Sequence, residues 1–136
     1  MDMYEGAQLP TLTKSVVQEN INRYAKAARD FNPIHIDQEF ARKTPVGGTI
    51  AHGMLALAYV SQMLTDAFGL DWACGGKLDI RFKAPARPGD TLTVSGQVAR
   101  IDIDEGRKTF RCDITCINQK DEVVVLGNAE VRLSGG

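Results

Sequence analysis

The stretch "GMLALAYVSQMLTDAFG", residues 53–69, decides how this chain folds. Its apolar residues Met54, Leu55, Leu57, Tyr59, Val60, Met63, Leu64 and Phe68 lie on nearly every face of a helix. A helix that is apolar all round is normally buried. Gly69 is a natural stop, since glycine tolerates the backbone conformation that ends many helices. Downstream, the period changes from helix to strand. "KLDIRFKAP" (77–85) alternates Leu78, Ile80 and Phe82 with charged residues. "TLTVSGQVARI" (91–101) alternates Leu92, Val94 and Val98. "TFRCDITCI" (109–117) places Phe110, Cys112, Ile114 and Cys116 on one face and Arg111, Asp113 and Thr115 on the other. "VVVLGNAEVRL" (123–133) aligns Val123, Val125, Ala129, Val131 and Leu133. The intervening "ARPGD", "DIDEGR" and "NQKD" read as turns.

Upstream of the central helix, "LTKSVV" (12–17) has strand composition and "QENINRYAKAARD" (18–30) has helical spacing at Ile21, Tyr24, Ala25 and Ala28. Pro33 is expected to end that helix, because proline excludes the helical region for the residue before it. Asp37 is a suitable N-cap for a short helix over 38–43, and "TPVGGT" (44–49) is a loop. The order is therefore strand, helix, short helix, central helix and four strands. Sequential strands with tight turns imply an antiparallel sheet. One helix can cover such a sheet only if the sheet wraps around it. The class is α+β, in one domain spanning residues 1–136, and the open sheet edges invite pairing with a second copy.

The chain has 136 residues, 43% hydrophobic and 24% charged, which is ordinary for a soluble globular protein. A net charge of -1 supplies no electrostatic pull toward nucleic acid or an anionic membrane. Cys74, Cys112 and Cys116 are odd in number and lack CxxC spacing, which speaks against a disulfide framework or a zinc knuckle. A reducing cytoplasm is the expected location. The first ten residues lack the basic and apolar regions of a signal peptide, and no apolar run reaches the ~18 residues of a membrane span.

The chemistry concentrates in "ARDFNPIHID" (28–37), which carries one of only two histidines. On a continuous helix Asp30 and His35 would point ~140° apart. Pro33 prevents that continuation, so the bend can aim both at one spot. A carboxylate and an imidazole are the commonest general acid–base groups. The second histidine, His52, precedes Gly53, which opens the central helix. The Gly53 N–H is one of the unpaired amides of a helix N-terminus, backed by the positive end of the dipole. Glycine lets a ligand approach that amide closely, as an oxyanion hole requires.

"DFNPIHID" followed by "AHGM" resembles the MaoC-like dehydratases, the (R)-specific enoyl-CoA hydratases of hotdog fold. The matching positions are Asp30, Asn32, Pro33 and His35, then His52, Gly53 and Met54, with "RFKAPARPGDTL" (81–92) similar to the family's strand and turn after the helix. The resemblance implies an antiparallel sheet around one helix, a homodimer, and reversible syn addition of water to a trans-2-enoyl-CoA. It implies that Asp30 and His35 hold the water and exchange its protons with the substrate α carbon, and that the Gly53 N–H bonds the thioester oxygen. No metal and no cofactor is implied, since the thioester is itself the electron sink. Many members carry Gly where this chain has Arg29.

The remaining candidates have plainer readings beside their functional ones. Asn32 adjoins Pro33, and such pairs make turns, so it holds the bend as well as being a candidate substrate contact. His52 is read as a buried histidine with satisfied hydrogen bonds. Arg81, Lys83 and Arg87 cluster around one turn and are candidate contacts for the CoA phosphates, or solvated residues of an edge strand. Ser61 either meets the substrate or bonds back to its own helix. Cys112 and Cys116 are small core residues. Two alternatives accompany the hydratase reading. One is a hotdog acyl-CoA thioesterase, which would release free thiol. The other is a subunit of a heterodimeric dehydratase, which would be inactive alone.

Overall fold

The structure, a computed structural model, describes residues 3–133; residues 1–2 and 134–136 of the expected domain lie outside the described residues. The elements are β1 (Leu12–Ser15), α1 (Gln18–Ala28), α2 (Pro33–Ile36), α3 (Gln38–Arg42), α4 (Gly53–Phe68), α5 (Leu70–Gly75), β2 (Gly76–Phe82), β3 (Thr91–Asp104), β4 (Arg107–Ile117) and β5 (Val123–Arg132). The strands form an antiparallel sheet in the order β1-β3-β4-β5-β2. Helix α4 packs on one face of it through Ala56, Val60, Met63 and Leu64, all buried. They meet Leu92, Val94, Val98, Phe110, Cys112, Ile114, Cys116, Val125 and Ala129 from the strands. This is the expected arrangement of a sheet around a helix.

Gly96 allows the helix to come close, since a Cβ there would stand 2.7 Å from Leu9 Cδ1 and 3.1 Å from Met63 Cε. The β3–β4 hairpin turns through Glu105 and Gly106, at φ 52 and 80. Two positive φ values in a two-residue loop match the twist of the flanking strands. Among the described residues, no helix is long and apolar enough to cross a membrane.

Five local expectations need correction. Helix α1 stops at Ala28, not at Pro33, because Arg29 turns into the left-handed region at φ 56 and ψ 36. Pro33 opens α2 instead, where its missing N–H would have had no partner. Strands β2 and β3 are not joined by a hairpin. β2 pairs with β5, Gly76 opposite Val131 through Phe82 opposite Val125, so residues 83–90 carry the chain across the sheet. Helix α4 is buried on one face only in the single chain, with Met54 55% exposed and Leu57 half-buried. A register shift between Cys116 and Ile117 buries Val124 beside Val125, where strict alternation would turn Val124 outward. The short α5 after Gly69 has no periodic signal of its own.

Candidate active site

The site is built where the end of α1 meets the start of α4. The Ala25 carbonyl accepts from both the Arg29 and Asp30 N–H groups, which closes α1 and turns the chain. Asp30 Oδ1 accepts from the Asn32 N–H at 3.3 Å, and Asn32 Oδ1 accepts from the Ile34 N–H at 3.1 Å. Asn32 thereby caps α2, and Asp37 caps α3 by accepting from the Phe40 N–H at 3.2 Å. These short polar contacts fix a run with no regular period and leave the Asp30 side chain 52% exposed.

The opposite wall is the segment 49–53. Its Ile50 N–H donates to the Ile34 carbonyl at 3.1 Å, and its Ala51 N–H to the Ala86 carbonyl at 2.7 Å. Gln18 ties the two walls together. Its Nε2 donates to the His35 carbonyl at 2.8 Å, and its Oε1 accepts from the buried Thr49 hydroxyl at 2.8 Å. Neither Gln18 nor Thr49 carries a signal in the sequence, since their partners lie 17 and 31 positions away.

His35 Nδ1 stands 2.8 Å from the Ile50 carbonyl oxygen. A carbonyl only accepts, so Nδ1 carries the proton and the neutral ring offers Nε2 as a base. His52 is only 3% exposed, and its Nε2 lies 3.1 Å from the Asp30 carbonyl oxygen and 3.9 Å from Asp30 Oδ2. The same reasoning places its proton on Nε2. The two imidazole rings stack, centroids 3.8 Å apart and planes 25° from parallel, and Tyr24 closes on His52 at 4.8 Å. Contrary to the expected full satisfaction, the buried His52 Nδ1 has no hydrogen-bond partner among the described residues.

Asp30, His35 and His52 bring one side-chain donor atom each within 4.8 Å of one another, and among the described residues this is the group that could hold a metal ion. Each ring gives one N–H to a main-chain carbonyl, which fixes its orientation and leaves the other nitrogen, His35 Nε2 and His52 Nδ1, with its lone pair.

Gly53 is the first residue of α4, and its exposed Cα faces the Phe82 ring, 3.3 Å from where a Cβ would stand. Beside it lies a cavity of about 320 Å³, bounded mainly by Ile50–Gly53, Ala56, Phe82–Ala86 and Val124. Its volume is at the small end for ligand sites. His52 and Gly53 are the wall it shares with the Asp30–His35 group.

The other candidates are dispersed. Ser61 is not brought to this group; its hydroxyl accepts from Trp72 Nε1 at 2.9 Å. Lys83 borders the cavity, and with Arg81 it also borders a groove on the outer face of the sheet. Arg87 sits against the 44–49 loop, a guanidinium nitrogen 3.9 Å from where a Gly48 Cβ would stand. Arg81 and Lys83 thus share one groove, and Arg87 is not among the residues that line it.

Comparisons with known proteins show the family and the fold. The family model described as MaoC like domain matches residues 4–119. The (R)-specific enoyl-CoA hydratase of Rhodospirillum rubrum is 32% identical over 132 residues, covering 97% of this chain and 89% of that protein. The 3-hydroxybutyryl-CoA dehydratase of Methylorubrum extorquens is 33% identical over 122 residues, covering 90% and 76%. Among solved structures, the unliganded R-hydratase PhaJ1 of Pseudomonas aeruginosa superposes with a TM-score of 0.83 at 27% identity, over 98% of this chain and 84% of that one.

Proposed function

The chain belongs to the MaoC-like domain family, and from that premise we propose that it is an (R)-specific enoyl-CoA hydratase, a hydro-lyase that adds water reversibly across trans-2-enoyl-CoA. The observation that carries this reading is the pairing of Asp30 with a His35 whose Nδ1–H is held by the Ile50 carbonyl, next to the helix-terminal amide of Gly53. In the proposed reaction a water molecule is held between the Asp30 carboxylate and His35 Nε2. As its oxygen bonds to C3 of the enoyl group, its proton passes through these residues to C2. Both new bonds form on one face, which makes the addition syn. Negative charge gathers on the thioester oxygen and is met by the Gly53 N–H, with the α4 dipole behind it. The chain's own groups suffice for this chemistry, without a metal or cofactor.

The protein works as a homodimer in the cytoplasm, with residues 1–136 as one domain. Met54 and Phe82, 55% and 52% exposed beside the site, and the open edge of β2 support pairing with a second copy. Lys83, which borders the cavity, is the proposed contact for the anionic end of CoA, with Arg81 beside it on the neighbouring groove, whereas the hydrogen bonds of Ser61 and Asn32 support a role in the fold.

The test is the ultraviolet absorbance of crotonyl-CoA mixed with the pure protein, with free thiol followed in parallel. Loss of enoyl absorbance without thiol release is the expected result. Thiol release would identify a thioesterase instead, and no change with crotonyl-CoA or longer enoyl-CoA substrates would overturn the hydratase reading for this chain alone.

A further inference from the structure

His52 is left without a task by the reaction as described, yet its placement is the most constrained of the group. Among the described residues, Thr49, His52 and Asn118 are the buried polar ones. Burying an imidazole with one nitrogen unpaired costs free energy that a phenyl ring in the same space would not incur. Packing alone therefore does not explain this residue. The rest of its contacts do. Nε2–H donates to the Asp30 carbonyl at 3.1 Å. One ring face stacks on His35 at 3.8 Å, and Tyr24 lies against the ring at 4.8 Å. The main chain of His52 supplies the carbonyl half of the peptide unit whose N–H belongs to Gly53, and it is the N-cap residue of α4.

One residue thus touches all three groups assigned above, which come from the end of α1, from α2 and from the start of α4. We infer that His52 is a positioning residue: its ring fixes the Asp30–His35 pair in distance and angle to the Gly53 amide, without itself meeting the reacting atoms. This rests on the hydratase reading of the site. Proton transfer and oxyanion binding must act on one substrate at the same moment. A misplacement of ~1 Å can cost on the order of 10²-fold in rate. The carbonyl of Asp30 also dictates the tautomer. A proton on Nδ1 would set a lone pair against that oxygen and bury an N–H without an acceptor.

Two substitutions separate the ring from its N–H. His52→Phe keeps the stacking and volume but removes the donor. His52→Gln loses the ring but can present an amide N–H at a similar reach. With crotonyl-CoA, His52→Phe is expected to lower kcat by about 30–100-fold with KM within about threefold, and His52→Gln to recover at least about tenfold of that loss. Near-ultraviolet circular dichroism and thermal unfolding establish that each variant is folded.

Nitrogen-15 NMR of the wild-type imidazoles supplies a readout independent of activity. It should show His52 protonated on Nε2 and His35 on Nδ1. Wild-type kcat in His52→Phe, equal losses in the two variants, a loss confined to KM, or a His52 proton on Nδ1 would each overturn the inference. Should the wild-type protein fail to hydrate any enoyl-CoA, the reaction assignment falls, while the NMR result still decides whether His52 holds Asp30 and His35 as described.

Discussion

Strand β4 and the segment 29–37 are organised on opposite principles. In β4, one rule sets every side chain: Phe110, Cys112, Ile114 and Cys116 point into the core, and Arg111 and Asp113 point out. Any one of them can change without altering where the others point. In 29–37 no rule repeats. Arg29 is left-handed, Asp30 accepts from Asn32, Asn32 caps α2, and Asp37 caps α3. Each contact fixes its neighbour, and none of these residues is buried. The strand contributes stability, and the irregular segment exposes a carboxylate and an imidazole where solvent can reach them.

Substitutions put that contrast to the test. The largest effect is expected in the irregular segment: Asp30→Asn and His35→Ala should each cost about 10²–10⁴-fold in turnover of crotonyl-CoA, with the melting temperature nearly unchanged. Parallel loss of folding would erase the contrast. Ile114→Ala should do the reverse. Ile114 is fully buried against Gly96 and α4, so urea unfolding should report about 2–5 kcal/mol of lost stability while the folded fraction keeps its activity.

The same strand face should respond to alkali. Burial pushes the Cys112 and Cys116 thiols up to about 11 from an ordinary 9.0. Below pH 9 folded and unfolded chains both keep these protons; above it the unfolded chain loses them first. Stability should therefore fall as pH rises from about 9 to about 11, by on the order of 1 kcal/mol per thiol, and the slope should shrink in Cys116→Ala. In the native protein at pH 8, a thiol reagent should label exposed Cys74 alone.

Arg29→Gly should raise stability by about 0.5–1 kcal/mol in a chemical melt, since a glycine has no Cβ to strain at φ 56. A loss instead would show that the Arg29 side chain contributes more than its backbone costs. The smallest effect belongs to the outer face of the sheet. There the partly exposed Arg111 guanidinium hydrogen-bonds Asp102 at 2.7 Å and holds its carboxyl below the usual range. Asp102→Asn should shift the melting temperature only marginally and leave turnover untouched.

Much of this is legible in the sequence. Alternation located β4 and most of β3 and β5, and the apolar run with Gly69 located α4 to within a residue. The residue types of 28–37 singled out Asp30 and His35, which the fold does bring together with His52. What stayed hidden depends on contacts between distant positions. Alternation tells a strand which way its side chains face, and says nothing of its neighbour, so the pairing of Leu78 with Ala129 rather than with β3 had no signal. The stacking of His35 on His52 accompanies a hydrogen bond between the Ile50 N–H and the Ile34 carbonyl, which no local pattern announces. Arg29 hid the end of α1 because the usual marker of a left-handed turn is glycine. Ser61 shares its helix with Gly53, but its direction was decided by Trp72 on an unforeseen turn of helix.

The crossing of residues 83–90 over the sheet also sets an order of events in time. Strand β2 precedes β3 in synthesis but pairs only with β5, Phe82 with Val125 and Gly76 with Val131. It therefore has no partner until nearly the whole chain has been made. Closing so long a loop costs entropy before any ladder bond compensates, which slows folding relative to a simple meander. Hairpins β3–β4 and β4–β5 can form as they emerge, and the edge that carries Phe82 to the Cα side of Gly53 is completed last.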